Sequence, residues 1–118
     1  MNKFSVTLPL TGEYLTTVRL TTGGLCSVAD FDVDSAEDFK VCVTESLLIL
    51  KRNGYRRAEI EFCVGDSLFC KISGLDFREI PREEMEDEIS YALLNALLGK
   101  VVFTKNDGGR VETIAFEG

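Results

Sequence analysis

Two runs of alternating side chains meet across one short turn, and this pairing restricts the fold of the 118-residue chain more than any other feature. Ile60, Phe62 and Val64 alternate with Glu59, Glu61 and Cys63; Gly65-Asp66 supplies the turn; Leu68, Cys70 and Ile72 then resume the pattern. A period of two sends one set of side chains to one face, so the segment predicts an antiparallel hairpin whose apolar face needs a cover. The same period opens the chain at Phe4, Val6 and Leu8, where Pro9 stops the ladder. It returns in Val101 to Lys105 and Arg110 to Phe116, which flank Asn106-Asp107-Gly108-Gly109, residues that tolerate the left-handed backbone of a tight hairpin.

Helices supply the cover. Leu15, Val18, Thr22 and Leu25 recur at helical spacing, with Gly23-Gly24 expected to weaken or end that helix. Asp34 is the expected cap of a second helix, answered by Glu37, with Phe39, Val43, Leu47 and Leu50 on one face and Asn53-Gly54 as its end. The pattern lapses from Ser73 to Pro81. Met85, Ile89, Leu93 and Leu97 then step by four through a third helix that Gly99 can terminate. Strand, helix, helix, hairpin, helix, hairpin is the order of an α+β two-layer sandwich, a mixed, mostly antiparallel sheet packed on three helices. At 118 residues, 45% of them hydrophobic, the chain is expected to be one domain, residues 1–118, without repeats or linkers.

Composition removes several kinds of chemistry. The sequence contains no histidine, which excludes imidazole-dependent nucleophile pairs and His-liganded zinc. Thirteen Lys and Arg against twenty Asp and Glu leave a net charge of −7, so neither nucleic acid nor a membrane surface is an expected partner. No run approaches the roughly 20 apolar residues of a membrane span, and a cytoplasmic location is expected. Cys26, Cys42, Cys63 and Cys70 form no Cys-x-x-Cys pair and read as reduced thiols.

The segment from Val41-Cys42-Val43-Thr44-Glu45-Ser46 to Asn53-Gly54-Tyr55, with Val18-Arg19-Leu20 before it and an acidic helix start at Asp34 to Lys40, resembles the bacterial anti-sigma-factor serine kinases of the GHKL (Bergerat) ATPase superfamily. The element order agrees along nearly the whole chain. The resemblance implies a Glu that positions the attacking group and, four residues on, an Asn that ligates Mg²⁺. Glu45 matches the first; Ile49 stands at the second and offers a hard cation no oxygen. Where the family has an Asp and glycines around the adenine, this chain reads Ile72-Ser73-Gly74-Leu75-Asp76, which leaves Gly74 and Asp76 as the residues that could hold ATP if it binds. Glu88 and Ser90 stand where the family places glycines against the phosphates. From Asp76 to Ser90 seven acids face two arginines, a repulsive neighbourhood for a triphosphate.

The resemblance, with these departures, implies a regulatory pseudokinase that binds a sigma factor or an anti-sigma-factor antagonist and needs no cofactor. The alternatives are an active serine/threonine protein kinase using ATP and Mg²⁺ with Glu45 as its base, and a structural or dimerisation domain without ligand. No metal-ligating residues are expected in the first reading.

Each candidate also has a plainer role. Glu45 can be a polar residue at a helix edge, Ile49 a core or cleft-filling side chain, and the acidic run a solvated helix start or a docking face. Lys51, Arg52, Arg56 and Arg57 can bind phosphate or pair internally with those acids. Thr16, Thr17, Thr21 and Thr22 offer a tract for phosphorylation, and hydrophobic edge strands at either hairpin would allow a homodimer.

Overall fold

The computed structural model describes residues 2–81, 84–98 and 100–118. Strand β1 spans Asn2–Pro9, helix α1 Leu15–Val28, helix α2 Val33–Arg52, strands β2 and β3 Tyr55–Val64 and Leu68–Phe77, helix α3 Glu84–Leu98, and strands β4 and β5 Val101–Lys105 and Val111–Glu117. A single 3₁₀ turn, Gly12–Tyr14, precedes α1. The strands form one sheet in the order β1-β2-β3-β5-β4, and all four pairings are antiparallel. The three helices cover one face, giving the α+β two-layer sandwich that the element order predicts.

The hairpin carries the register. Ile60 lies opposite Ile72 and Phe62 opposite Cys70, so the apolar set of both strands faces the helices. Ile114 and Phe116 of β5 continue the same rows. The loop is Gly65-Asp66-Ser67, closed by the Gly65 N–H donating to the Ser67 carbonyl at 3.0 Å. Phe39 of α2 meets Phe116 edge-on at 5.2 Å between ring centroids, and Val43, Leu47 and Leu50 sink into the same core. Each such side chain contributes about 1.5–3 kcal/mol by leaving water.

Four local readings change. Helix α1 runs through Gly23-Gly24 to Val28, because Val18, Thr22 and Cys26 are buried at four-residue spacing and tertiary packing outweighs a cost of about 1 kcal/mol per glycine. The α2 cap is Asp32, not Asp34: its carboxylate accepts from the Ser35 N–H at 2.7 Å, a bond that holds the Asp32 carboxyl below the ordinary range. Strand β3 continues past Ser73 to Phe77, paired with β2 as far as Tyr55. The expected stop of α3 at Gly99 lies outside the described residues.

The fourth change concerns α3. Of the apolar residues that step by four, Leu97 is half-buried but Met85 and Ile89 are 77% and 65% exposed, whereas Asp87, Ser90 and Leu94 are buried. The helix has rolled so that polar side chains face inward. The edge strands are β1 and β4; the β2–β3 hairpin is central and presents no edge. No helix among the described residues is long and apolar enough to cross a membrane.

All four cysteines are free; Cys26, Cys42 and Cys70 are buried and Cys63 is half-buried. Burial raises the Cys26 and Cys70 thiols, and burial together with the Asp38 and Glu45 charges pushes Cys42 up to about 12. Thr22 is wholly buried, which removes it from the expected phosphorylation tract.

Candidate functional site

Helices need apolar faces to pack, yet α2 and α3 meet through a polar seam. The Arg52 guanidinium donates from Nε to Asp87 Oδ1 at 2.8 Å and from Nη2 to Ser90 Oγ at 2.6 Å. Ser90 Oγ in turn donates to Glu45 Oε2 at 3.0 Å. Asn53, at the C-cap of α2, donates from Nδ2 to the Ile49 carbonyl at 2.7 Å and to Asp87 Oδ2 at 3.0 Å. Its Oδ1 accepts from the Val111 N–H of β5 at 3.1 Å. One side chain thus fastens the end of α2 to both α3 and the sheet. The Arg52 and Asp87 side chains are only 14% and 5% exposed, so the pair operates at reduced dielectric, where such bonds are directional and strong.

Glu45 is therefore engaged. It sits on the α2 face toward α3 and accepts from the Ser90 hydroxyl, which comes from the position where the resemblance expects a glycine. Ile49, one turn further on, is fully buried in the core. Asn53 does carry an oxygen, but it is bonded to Val111.

The second half of the expected nucleotide site lies on β3. A side chain added at Gly74 would meet the Tyr55 ring at 2.4 Å: the ring fills the space the glycine leaves. Tyr55 is buried, packs tilted against Phe77 at 5.2 Å between ring centroids and accepts from Asn106 Nδ2 at 3.1 Å through its hydroxyl. Burial raises its phenol above the ordinary range against the opposing effect of the Asn106 bond. Asp76 is exposed, holds a left-handed backbone at φ 62° and lies 3.8 Å from Arg57 Nε. The structure gives Glu45, Gly74 and Asp76 three separate sets of neighbours: Ser90, Tyr55 and Arg57. Among the described residues no cluster of three His, Cys, Asp or Glu side chains could hold a metal ion. Ile49 in place of an oxygen ligand and Tyr55 over Gly74 do not fit Mg²⁺-ATP as the resemblance would hold it.

Arginine 110 closes the other side. It is 5% exposed, and its Nη2 donates to Glu79 Oε1 at 2.6 Å and to the Ile80 carbonyl. The segment after β3 is also tied at Gly54, whose carbonyl accepts from the Arg78 N–H at 2.7 Å. Gly54 has φ 102°, and an added Cβ would lie 2.2 Å from the Arg78 carbonyl, so both its backbone and this close approach require glycine.

Of the basic cluster after α2, Arg52 and Arg57 pair with acids of the run from Asp76 to Glu88, the internal use weighed above. The seam through Asp87, Ser90 and Asn53 and the burial of Arg110 are not among the expectations, although Arg52 paired with an acid of that run is. Asp87 carried a signal: Asp87, Ser90 and Leu94 are three and four residues apart, the spacing of one helix face. Arg110 had none, because its partners are 30 and 31 residues away.

Compared with known proteins, the chain matches no family model and no curated protein sequence.

Proposed function

We propose that this chain is a cytoplasmic regulatory domain that acts by binding another protein, with no productive ATP chemistry at the place where the anti-sigma-factor serine kinases it resembles carry theirs. A sigma factor or an anti-sigma-factor antagonist is the partner class this reading names. The observation that carries it is the polar seam: Glu45, the match to the family's catalytic residue, hydrogen-bonds to Ser90 on a helix packed directly against α2. Ile49 and the Tyr55 ring over Gly74 support it independently. An acidic chain with this seam has a rigid scaffold for presenting surface to a partner and a poor one for gathering a triphosphate.

The experiment is calorimetric titration of ATP with and without Mg²⁺, at concentrations that detect millimolar affinity. Silence in both is the expected result. Metal-dependent heat would overturn the reading and make serine phosphorylation of a partner, with Glu45 as base, the activity to assay.

A further inference from the structure

Helix α3 is apolar on two faces. Leu94 is buried inward with Tyr91, Leu97 and Leu98 half-buried beside it. On the opposite face Met85, Ile89, Ala92 and Ala96 follow one another at steps of four, three and four, and all are exposed. Steps of three and four place side chains in one stripe along a helix, the pattern one helix presents to another. Two alanines at its C-terminal half let a second helix axis approach closely.

The rotation of α3 is held by polar bonds rather than by chance packing. Asp87 and Ser90 are tied inward to Arg52, Asn53 and Glu45, and helical geometry then turns Met85 and Ile89 to solvent. Charge selects the occupant. Glu86 and Glu88 flank the stripe on its two sides, and α3 contains four acids and neither Lys nor Arg. A second copy of α3, or an anionic lipid surface, would bring negative charge against negative charge.

We propose that the outward face of α3 is a docking site for a basic amphipathic helix of a partner protein, apolar along its centre and bearing Lys or Arg at both margins. This deepens the protein-binding reading above and rests on it. Met85 and Ile89 are the anchors; Glu86 and Glu88 supply the rim.

The test places a benzophenone amino acid at residue 89 of the full chain, and separately at residue 102 of β4, where Val102 is another exposed apolar side chain, in cells that produce the protein. Crosslinked peptides are sequenced by mass spectrometry. The expected result is a crosslink from residue 89 to a positively charged segment of another protein with apolar residues at steps of three and four. A synthetic peptide of that segment should then bind the purified chain, and Ile89→Glu should weaken it by about tenfold or more while Val102→Glu changes it by less than about twofold. Circular dichroism checks that both variants keep the fold. A crosslink from residue 89 to a second copy of this chain, to an acidic or neutral segment, or to nothing overturns the proposal. Crosslinking of a partner from residue 102 alone would remove the α3 site and leave the protein-binding reading standing; metal-dependent ATP heat would remove that reading instead.

Discussion

Toward the sheet, α2 presents Phe39, Val43, Leu47 and Leu50; toward α3 it presents Glu45, Arg52 and Asn53. Burial of the first set is non-directional, and many similar arrangements of the same side chains would be nearly as favourable. The second set works only in one geometry, because Arg52 Nε and Nη2, Asn53 Nδ2 and Ser90 Oγ each donate to a fixed acceptor and an unpaired buried charge is costly. One helix thus has an apolar interface whose burial is non-directional and a polar one that fixes a rotation. The contrast separates how firmly α3 is attached from which way it faces.

The sharpest way to break the comparison is to remove one charge from the seam. Asp87→Ala should cost about 3–5 kcal/mol in urea unfolding, since it strands Arg52. Arg52→Met combined with Asp87→Leu should recover much of that loss, and the double-mutant cycle should show a coupling of about 0.5–3 kcal/mol. Recovery of stability without recovery of the rotation of α3, read from accessibility at residue 89, would sharpen the distinction.

Next in size is Gly74→Ala, an added methyl group directed at the Tyr55 ring, expected to cost about 1–3 kcal/mol. Adding ATP should not shift the melting temperature of the parent or of this variant. Smaller still, Ile72→Val in the apolar core should cost about 0.5–1.5 kcal/mol, with the packing around it absorbing the missing methylene. A larger loss there would mean that the core is as exacting as the seam.

The smallest effect is a pH dependence at the start of α2. The Asp32 carboxyl lies below its ordinary value when folded, so its contribution is present above the unfolded carboxylate range and is lost as pH falls through the lowered folded value. The melting temperature of Asp32→Asn relative to the parent should therefore rise between pH 6 and pH 3, followed by circular dichroism; a flat difference would assign the cap no charge dependence.

The hairpin, the order of the elements and the sheet-facing side of α2 were legible because each rests on local periodicity. Ile60, Phe62, Cys70 and Ile72 needed no knowledge of anything distant. Helix α3 was misread because Met85, Ile89 and Leu93 satisfy helical spacing as well as Asp87, Ser90 and Leu94 do, and hydrophobicity alone favours the first set. The choice is made by Arg52 and Asn53, more than 30 residues earlier. Gly23-Gly24 failed as a stop for a related reason: the decisive term is the packing of Val18, Thr22 and Cys26. At the candidate site, the burial of Ile49 in the core was legible as the plainer reading of that position, whereas the filling of the Gly74 space by Tyr55 depends on two strands meeting.

The four thiols make the folded molecule selective toward alkylating reagents. Three are buried and have raised thiol pKa values, so a maleimide at neutral pH should reach Cys63 first, on the helix-free face of the sheet between Lys3 and Phe69 in register. A single label would report on that face, and the arrival of the second, third and fourth adducts would time the opening of the core residue by residue without any engineered probe.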